Sequence, residues 1–163
     1  MLQLKDFSKE DLEFIFECNQ LNKPQVGNLT LDKLKLLVKN SHYLKVAFYN
    51  GNPAGFLLCL IEDKNYDSPN YQWVSKKYSN FIYIDRISIM PQFQNMKIGT
   101  AFYLDLITFS CLNNFSSIIC EVNIQPPNPG SLRFHKRFDF LECGSQFTEQ
   151  GTKEVQFLIK QLN

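Results

Sequence analysis

The chain lacks a charge excess of either sign: Lys and Arg number 17, Asp and Glu 16, and the formal net charge is +1 over 163 residues. Nucleic-acid binding would call for a basic stripe, and the charges are spread evenly instead. No apolar run reaches membrane-spanning length, and Met1-Leu2-Gln3-Leu4-Lys5-Asp6 lacks the apolar core of a signal peptide. The expectation is a soluble, cytoplasmic protein with neither nucleic acid nor membrane as partner. Histidine is scarce (His42 and His135, far apart), and the five cysteines include no C-x-x-C pair, which argues against a metal site. An odd number of widely spaced cysteines, such as Cys59 in Phe56-Leu57-Leu58-Cys59-Leu60, reads as small buried hydrophobes in a reducing compartment. Two nucleotide signatures are also missing, the G-K-[ST] of a P-loop and the G-x-G-x-x-G of a dinucleotide fold.

What is present suits one domain with one core. Leu2 to Lys5 reads as a strand. Ser8, with Asp11 three residues on, opens a helix through Asn22, which Lys23-Pro24-Gln25-Val26-Gly27-Asn28 breaks. A second helix spans 30–40, with Leu31, Leu34, Leu37 and Val38 on one face. Runs 43–49 and 54–61 form a hairpin about Asn50-Gly51-Asn52-Pro53. Residues 63–80, rich in Asp, Asn, Pro and Lys, read as a long aromatic-bearing loop. A strand follows over 81–90, then a loop over 91–97 and a helix over 98–113. That helix is apolar nearly all round and is therefore expected to be buried. A buried strand over 117–123 completes a β-α-β unit, so strands 81–90 and 117–123 should run parallel. After the connector Pro126-Pro127-Asn128-Pro129-Gly130, Ser131 caps a short helix, and strands near 140–147 and 153–160 close the chain. The fold class is α/β, with a mixed sheet and helices on both faces.

The chemistry centres on the loop after the strand at 81–90. Gly99 falls in the first turn of a helix whose leading amides have no intrahelical acceptors, and the helix dipole adds positive potential there. A pyrophosphate suits such a mouth, with Lys97 adding a charge and Thr100 a hydroxyl. Two carboxylates interrupt apolar strands, Asp85 and Glu121, and each is a candidate base, directly or through a water. Adjacent strand residues point to opposite faces, so Arg86 looks an awkward partner for Asp85. His135 is a candidate acid because imidazole titrates near neutrality. Tyr71 and Trp73, in the aromatic segment, are candidates for an element that closes over a bound small molecule.

Ile89-Met90-Pro91, then Gln94-Asn95-Met96-Lys97-Ile98-Gly99, then about thirty residues later Asn128, Ser131, His135 and Phe140 stand in order at motif spacing. Together they resemble the GNAT superfamily of acyl-CoA N-acyltransferases, whose motifs are V-x-P, [QR]-x-x-G-x-[GA] and N-x-x-[AS]-x-x-x-Y-x-x-x-G-F. Tyr66-Asp67-Ser68-Pro69-Asn70-Tyr71 and the stretch from Pro126 to His135 look like one predicted-acetyltransferase subgroup within it. The resemblance covers essentially the whole chain. It implies a single domain over 1–163, a sheet of about seven strands with a V-shaped opening between two parallel central strands, and acetyl-CoA as cosubstrate. It also implies roles: the backbone of Ile87, Ser88 and Ile89 for the pantetheine arm, and the amides of Gln94, Asn95, Met96, Lys97, Ile98, Gly99 and Thr100 for the pyrophosphate. Asn128 and Ser131 would line the arm. The implied activity is acetyl transfer to an amine, with exposed aromatics consistent with a homodimer. Three positions depart from the pattern. Lys97 replaces a Gly, so a backbone without positive φ is expected there. His135 replaces the Tyr that usually protonates the leaving thiolate, and Asp139 replaces the Gly before Phe140. Lys97 and the missing Tyr keep open an acyl-CoA-binding or sensor domain that no longer catalyses, and the aromatic loop keeps open an interaction module that uses Trp73.

Overall fold

The computed structural model describes residues 1–24 and 26–163. Seven strands form one mixed sheet in the order β1-β2-β3-β4-β5-β7-β6, and five α-helices accompany them among the described residues. The strands are β1 Leu2–Asp6, β2 Tyr43–Tyr49, β3 Asn52–Ile61, β4 Phe81–Ile89, β5 Ser117–Gln125, β6 Leu141–Thr148 and β7 Lys153–Gln161. The helices are α1 Leu12–Leu21, α2 Leu31–Asn40, α3 Pro69–Lys77, α4 Ile98–Leu112 and α5 Pro129–Arg137. By contacts the chain divides into two compact units, Met1–Leu60 with Asp85–Thr108, and Ile61–Ile84 with Phe109–Asn163.

In the first unit β1, β2 and β3 form an antiparallel meander, and Asn50 and Gly51, both at positive φ, make the β2–β3 turn. Ser8 opens a short 3-10 turn before α1, its amide bonded to the Asp11 carboxylate at 2.8 Å. The break after α1 includes Gln25, which lies outside the described residues. Thr30 caps α2 through a 3.2 Å bond from the Lys33 amide. The core joins Ile15 and Cys18 of α1, Leu34 of α2, Val46, Phe56 and Leu58 of the sheet, and Phe102 and Leu106 of α4, all inaccessible to solvent. Each such apolar side chain contributes roughly 1.5–3 kcal/mol by leaving water. Helix α4 is less enclosed than its composition suggests, since Leu104 and Leu112 face outward at 56% and 78% exposure.

In the second unit β4 runs parallel to β5, with Phe81, Ile82 and Tyr83 opposite Ser117, Ile118 and Ile119. β7 pairs antiparallel with β5 on one side and with β6 on the other. Residues 63–80 are not one irregular loop. Pro69–Lys77 is helical because Ser68 caps it, accepting from the Tyr71 amide at 3.4 Å, and Pro69 occupies the first turn, where its missing N–H is harmless. Tyr71 and Val74 bury the inner face of this helix. The cap of α5 is likewise Asn128 and not Ser131: its Oδ1 accepts from the Ser131 amide at 3.3 Å, with Pro129 in the first turn.

Candidate functional site

In the first unit, β4 ends at Ile89, a 3-10 turn covers Pro91–Phe93, and α4 begins at Ile98. The backbone N–H of Ala101 donates to the Lys97 carbonyl at 3.0 Å, so the amides of Ile98, Gly99 and Thr100 precede the helical ladder. Asn95 and Lys97 adopt φ of 64° and 61°. The expectation that Lys97 avoids positive φ is therefore wrong: lysine here takes the left-handed conformation that glycine takes without cost. Left-handed residues in a short turn aim successive N–H groups to one side, as anion-holding backbone concavities do. Gln94, Asn95, Met96 and Lys97 are all exposed, and the Gln94 amide reaches Asn22 Oδ1 at 3.3 Å.

Along β4, Ser88 is buried and donates its hydroxyl to the Cys18 carbonyl at 3.1 Å, whereas Ile87 and Ile89 are half-buried. The Asp85 side chain is only 3% exposed although the residue as a whole is partly accessible, so what water reaches there is main chain. Its carboxylate is paired after all with Arg86, whose Nε lies 2.8 Å from Oδ2. The long arginine side chain curls back, which a rule based on Cβ direction does not anticipate. Arg86 also donates to Asn19 Oδ1 at 2.9 Å and to the Gly27 carbonyl at 3.2 Å, so Asp85 belongs to a buried structural network.

In the second unit, Glu121 is half-buried on β5. Tyr83 donates its hydroxyl to Oε2 at 2.7 Å, and Asn70 of α3 donates to Oε1 at 3.3 Å. The Tyr83 contact follows from register. Tyr83 is opposite Ile119, Glu121 lies two residues further along the same face, and a tyrosine spans that diagonal. Tyr71, a candidate for the acceptor side, is enclosed. Its hydroxyl donates to the Ile61 carbonyl at 2.7 Å and accepts from the Lys64 amide at 2.9 Å. Trp73 is half-buried and stacks flat on Phe157, centroids 3.9 Å apart. Tyr83 and Asn70 lie outside the candidates that the sequence offers. Ser68-Pro69, a helix-start pair, was the available signal for Asn70.

His135 is buried between Phe134 and Phe140, its ring edge-on to both, and Nδ1 lies 2.7 Å from the Ser131 carbonyl. A carbonyl only accepts, so Nδ1 carries the proton. Burial pushes the imidazole pKa below its ordinary 6.5. The unfolded chain therefore takes up this proton first as pH drops. Stability due to His135 is present above about 6.5 and lost as pH falls below it towards the lower folded-state value. Urea unfolding at pH 7.5 and 5.5 should show this loss in the wild type and a smaller one in His135→Gln.

Helix α5 ends with the Phe140 amide on the His135 carbonyl at 3.2 Å and the Asp139 amide on the Lys136 carbonyl at 3.1 Å, with Asp139 at φ 62°. This is the paired-bond C-terminus that favours glycine at its left-handed position. Asp139→Gly and Lys97→Gly should each gain up to about 1 kcal/mol in urea unfolding by relieving that conformation.

No group of His, Cys, Asp and Glu among the described residues could hold a metal ion, and none of the helices described is long and apolar enough to cross a membrane. The model of the acetyltransferase (GNAT) family matches residues 7–140. Ard1 from Thermoplasma volcanium superposes with a TM-score of 0.79 at 17% identity, over 99% of this chain and 98% of that one. The ribosomal-protein-alanine N-acetyltransferase from Brucella melitensis gives 0.77 at 16%, over 98% and 99%. Arabidopsis thaliana Naa50, in complex with the bisubstrate analogue CoA-Ac-MVNAL, gives 0.74 at 17%, over 99% of each chain. At these identities the likeness establishes the fold. No curated protein sequence matches.

Proposed function

The chain belongs to the acetyltransferase (GNAT) family, and from that premise we propose that it is an acetyl-CoA-dependent N-acetyltransferase, with residues 1–163 acting as one domain of the subgroup bearing the Tyr66–Tyr71 motif. The observation that carries the reading is the left-handed turn at Asn95 and Lys97, leading into a helix whose first three amides precede its ladder. A non-glycine residue holding that conformation keeps the shape a diphosphate needs.

Amides from Gln94 to Thr100 hold the pyrophosphate. The main chain of Ile87, Ser88 and Ile89 pairs with the pantetheine arm as an added strand would. Asn128, whose Oδ1 serves the helix, offers its amide nitrogen to an arm carbonyl, and Ser131 lines the same stretch. Transfer proceeds in a ternary complex. A neutral amine attacks the thioester carbonyl, the C–N bond forms, and the tetrahedral intermediate collapses with loss of the thiolate.

The base is Glu121, taking the proton that the amine sheds directly or through a water. Asp85 is the weaker choice, because acting as a base would mean leaving its buried arginine. His135 stays outside the proton path, since its one proton is engaged by Ser131. The coenzyme A thiol, with an ordinary pKa of about 8.5, leaves without an obligatory acid. That engaged proton also favours the second reading, an acyl-CoA-binding domain without catalysis. Structures of Naa50 with its bisubstrate analogue, and of ribosomal-protein-alanine N-acetyltransferases, lend support to an amino-group acceptor.

Titration calorimetry with acetyl-CoA tests the cosubstrate. One saturable site and a raised melting temperature are expected. Absence of heat and of any thermal shift at millimolar ligand overturns the assignment.

A further inference from the structure

Helix α3 meets the sheet with two residues three apart, Asn70 and Trp73, which therefore share one helix face. They meet a cross-strand pair. Glu121 of β5 is directly opposite Phe157 of β7, so both side chains stand on the same face of the sheet. Asn70 donates to Glu121, and Trp73 lies parallel to the Phe157 ring within 2°. Phe157 is in turn opposite Gly144 of β6. A Cβ on Gly144 would come within 2.5 Å of the Trp73 ring, and Gly144 itself is at φ 151°. The missing side chain is the space the indole occupies. Lys77 lies over the outer side of that indole, 4.5 Å from a ring centroid.

The polar half of this contact is ordered as well. Gln146 of β6 donates to Asn70 Oδ1 at 3.3 Å, which leaves the Asn70 amide nitrogen directed at the carboxylate. Tyr83 donates to the other oxygen. Glu121 thus accepts at both oxygens, as an ionised carboxylate does.

We propose that Asn70 is a positioning residue for Glu121, and that α3 is fastened by Trp73 so that Asn70 fixes the carboxylate's direction and its anionic form. The proposal rests on Glu121 being the base. Of the titratable groups on the elements packed here, Tyr83 of β4 is bonded to Glu121, and Lys77 of α3 lies over Trp73. Lys76 of α3 is exposed, Tyr71 of α3 donates to the Ile61 carbonyl, Asp85 of β4 is paired with Arg86, Cys120 of β5 is buried, Cys143 of β6 is half-buried, Glu142 is exposed on β6, Lys153 and Glu154 are half-buried at the start of β7, and Lys160 of β7 donates to the Phe138 carbonyl.

The test is a series at one position, Asn70→Ala and Asn70→Asp, in which Ala removes the donor and Asp adds a like charge while suiting the second position of a helix. In protein labelled with carbon-13 glutamate, the Glu121 carboxyl titration midpoint should rise from wild type to Ala and further to Asp. The acidic limb of kcat/KM should move the same way, with kcat down about tenfold and KM for acetyl-CoA unchanged. Gly144→Ala, which displaces the indole, should give a rise smaller than Asn70→Ala. Melting temperature and acetyl-CoA affinity serve as folding controls. If Glu121 titrates identically in the wild type and both Asn70 variants, the proposal is overturned, whether or not turnover is seen. If Glu121→Gln leaves turnover intact, the base assignment falls, and the titration series still decides whether Asn70 tunes the carboxylate.

Discussion

Glu121→Gln should lower acetyl transfer by roughly 100-fold or more at neutral pH, the usual worth of a positioned base, while acetyl-CoA binding is unchanged. Gln keeps the shape and can still accept from Tyr83, but it cannot take up a proton. The loss should shrink as pH rises, because a growing share of the acceptor is already deprotonated and only the proton shed on attack still needs a base. The pH of recovery also reports the acceptor. An α-amino group, with pKa about 7.7–8, would regain rate well below the pH needed by a lysine-like amine near 10.4. Steady-state kinetics of thiol release across pH 6–10 measures both features. A Gln variant within twofold of wild type at neutral pH would remove Glu121 from the mechanism.

The second large effect is on stability. Arg86→Met should destabilise the protein by about 3–5 kcal/mol, because it leaves the Asp85 carboxylate buried without its cation. It also removes the donors to Asn19 and Gly27 that tie β4 to α1 and the segment after it. Adding Asp85→Asn should recover a substantial part of that loss, since the stranded charge goes with it. Guanidinium unfolding of both single variants and the double variant closes the cycle. A cost below about 1 kcal/mol for Arg86→Met would show that Asp85 is not held as an ion pair, and would return it to the list of bases.

Periodicity and turn chemistry made most of the framework legible. Asn50-Gly51 located the β2–β3 hairpin, and the β-α-β run from Phe81 through β5 required the parallel pair that is found. What stayed hidden had particular causes. Helix α3 is masked by its polar composition, since Tyr71 and Val74 are its only fully buried residues, although Ser68-Pro69 announces its start. The left-handed backbone at Lys97 and Asp139 is invisible to residue preference, because tertiary context overrides a local cost of about 1 kcal/mol. Loop and motif spacing pointed to the residues of α4 and α5, and Glu121 was singled out by its charge in an apolar strand. Its partners Tyr83 and Asn70 depend on register and on a helix–sheet contact, and neither is encoded in local spacing. Asp85 shows the converse: a carboxylate in an apolar strand reads as chemistry until its neighbour's long side chain is seen to fold back on it.

The most direct measurement is thiol release from acetyl-CoA in the presence of a panel of amines that spans small molecules and peptides with free N-termini. Release should depend on at least one amine, saturate in acetyl-CoA and yield the acetylated amine in equal amount. Tight acetyl-CoA binding with no amine-dependent release across the panel would contradict this expectation, leaving a protein that holds the thioester without passing it on.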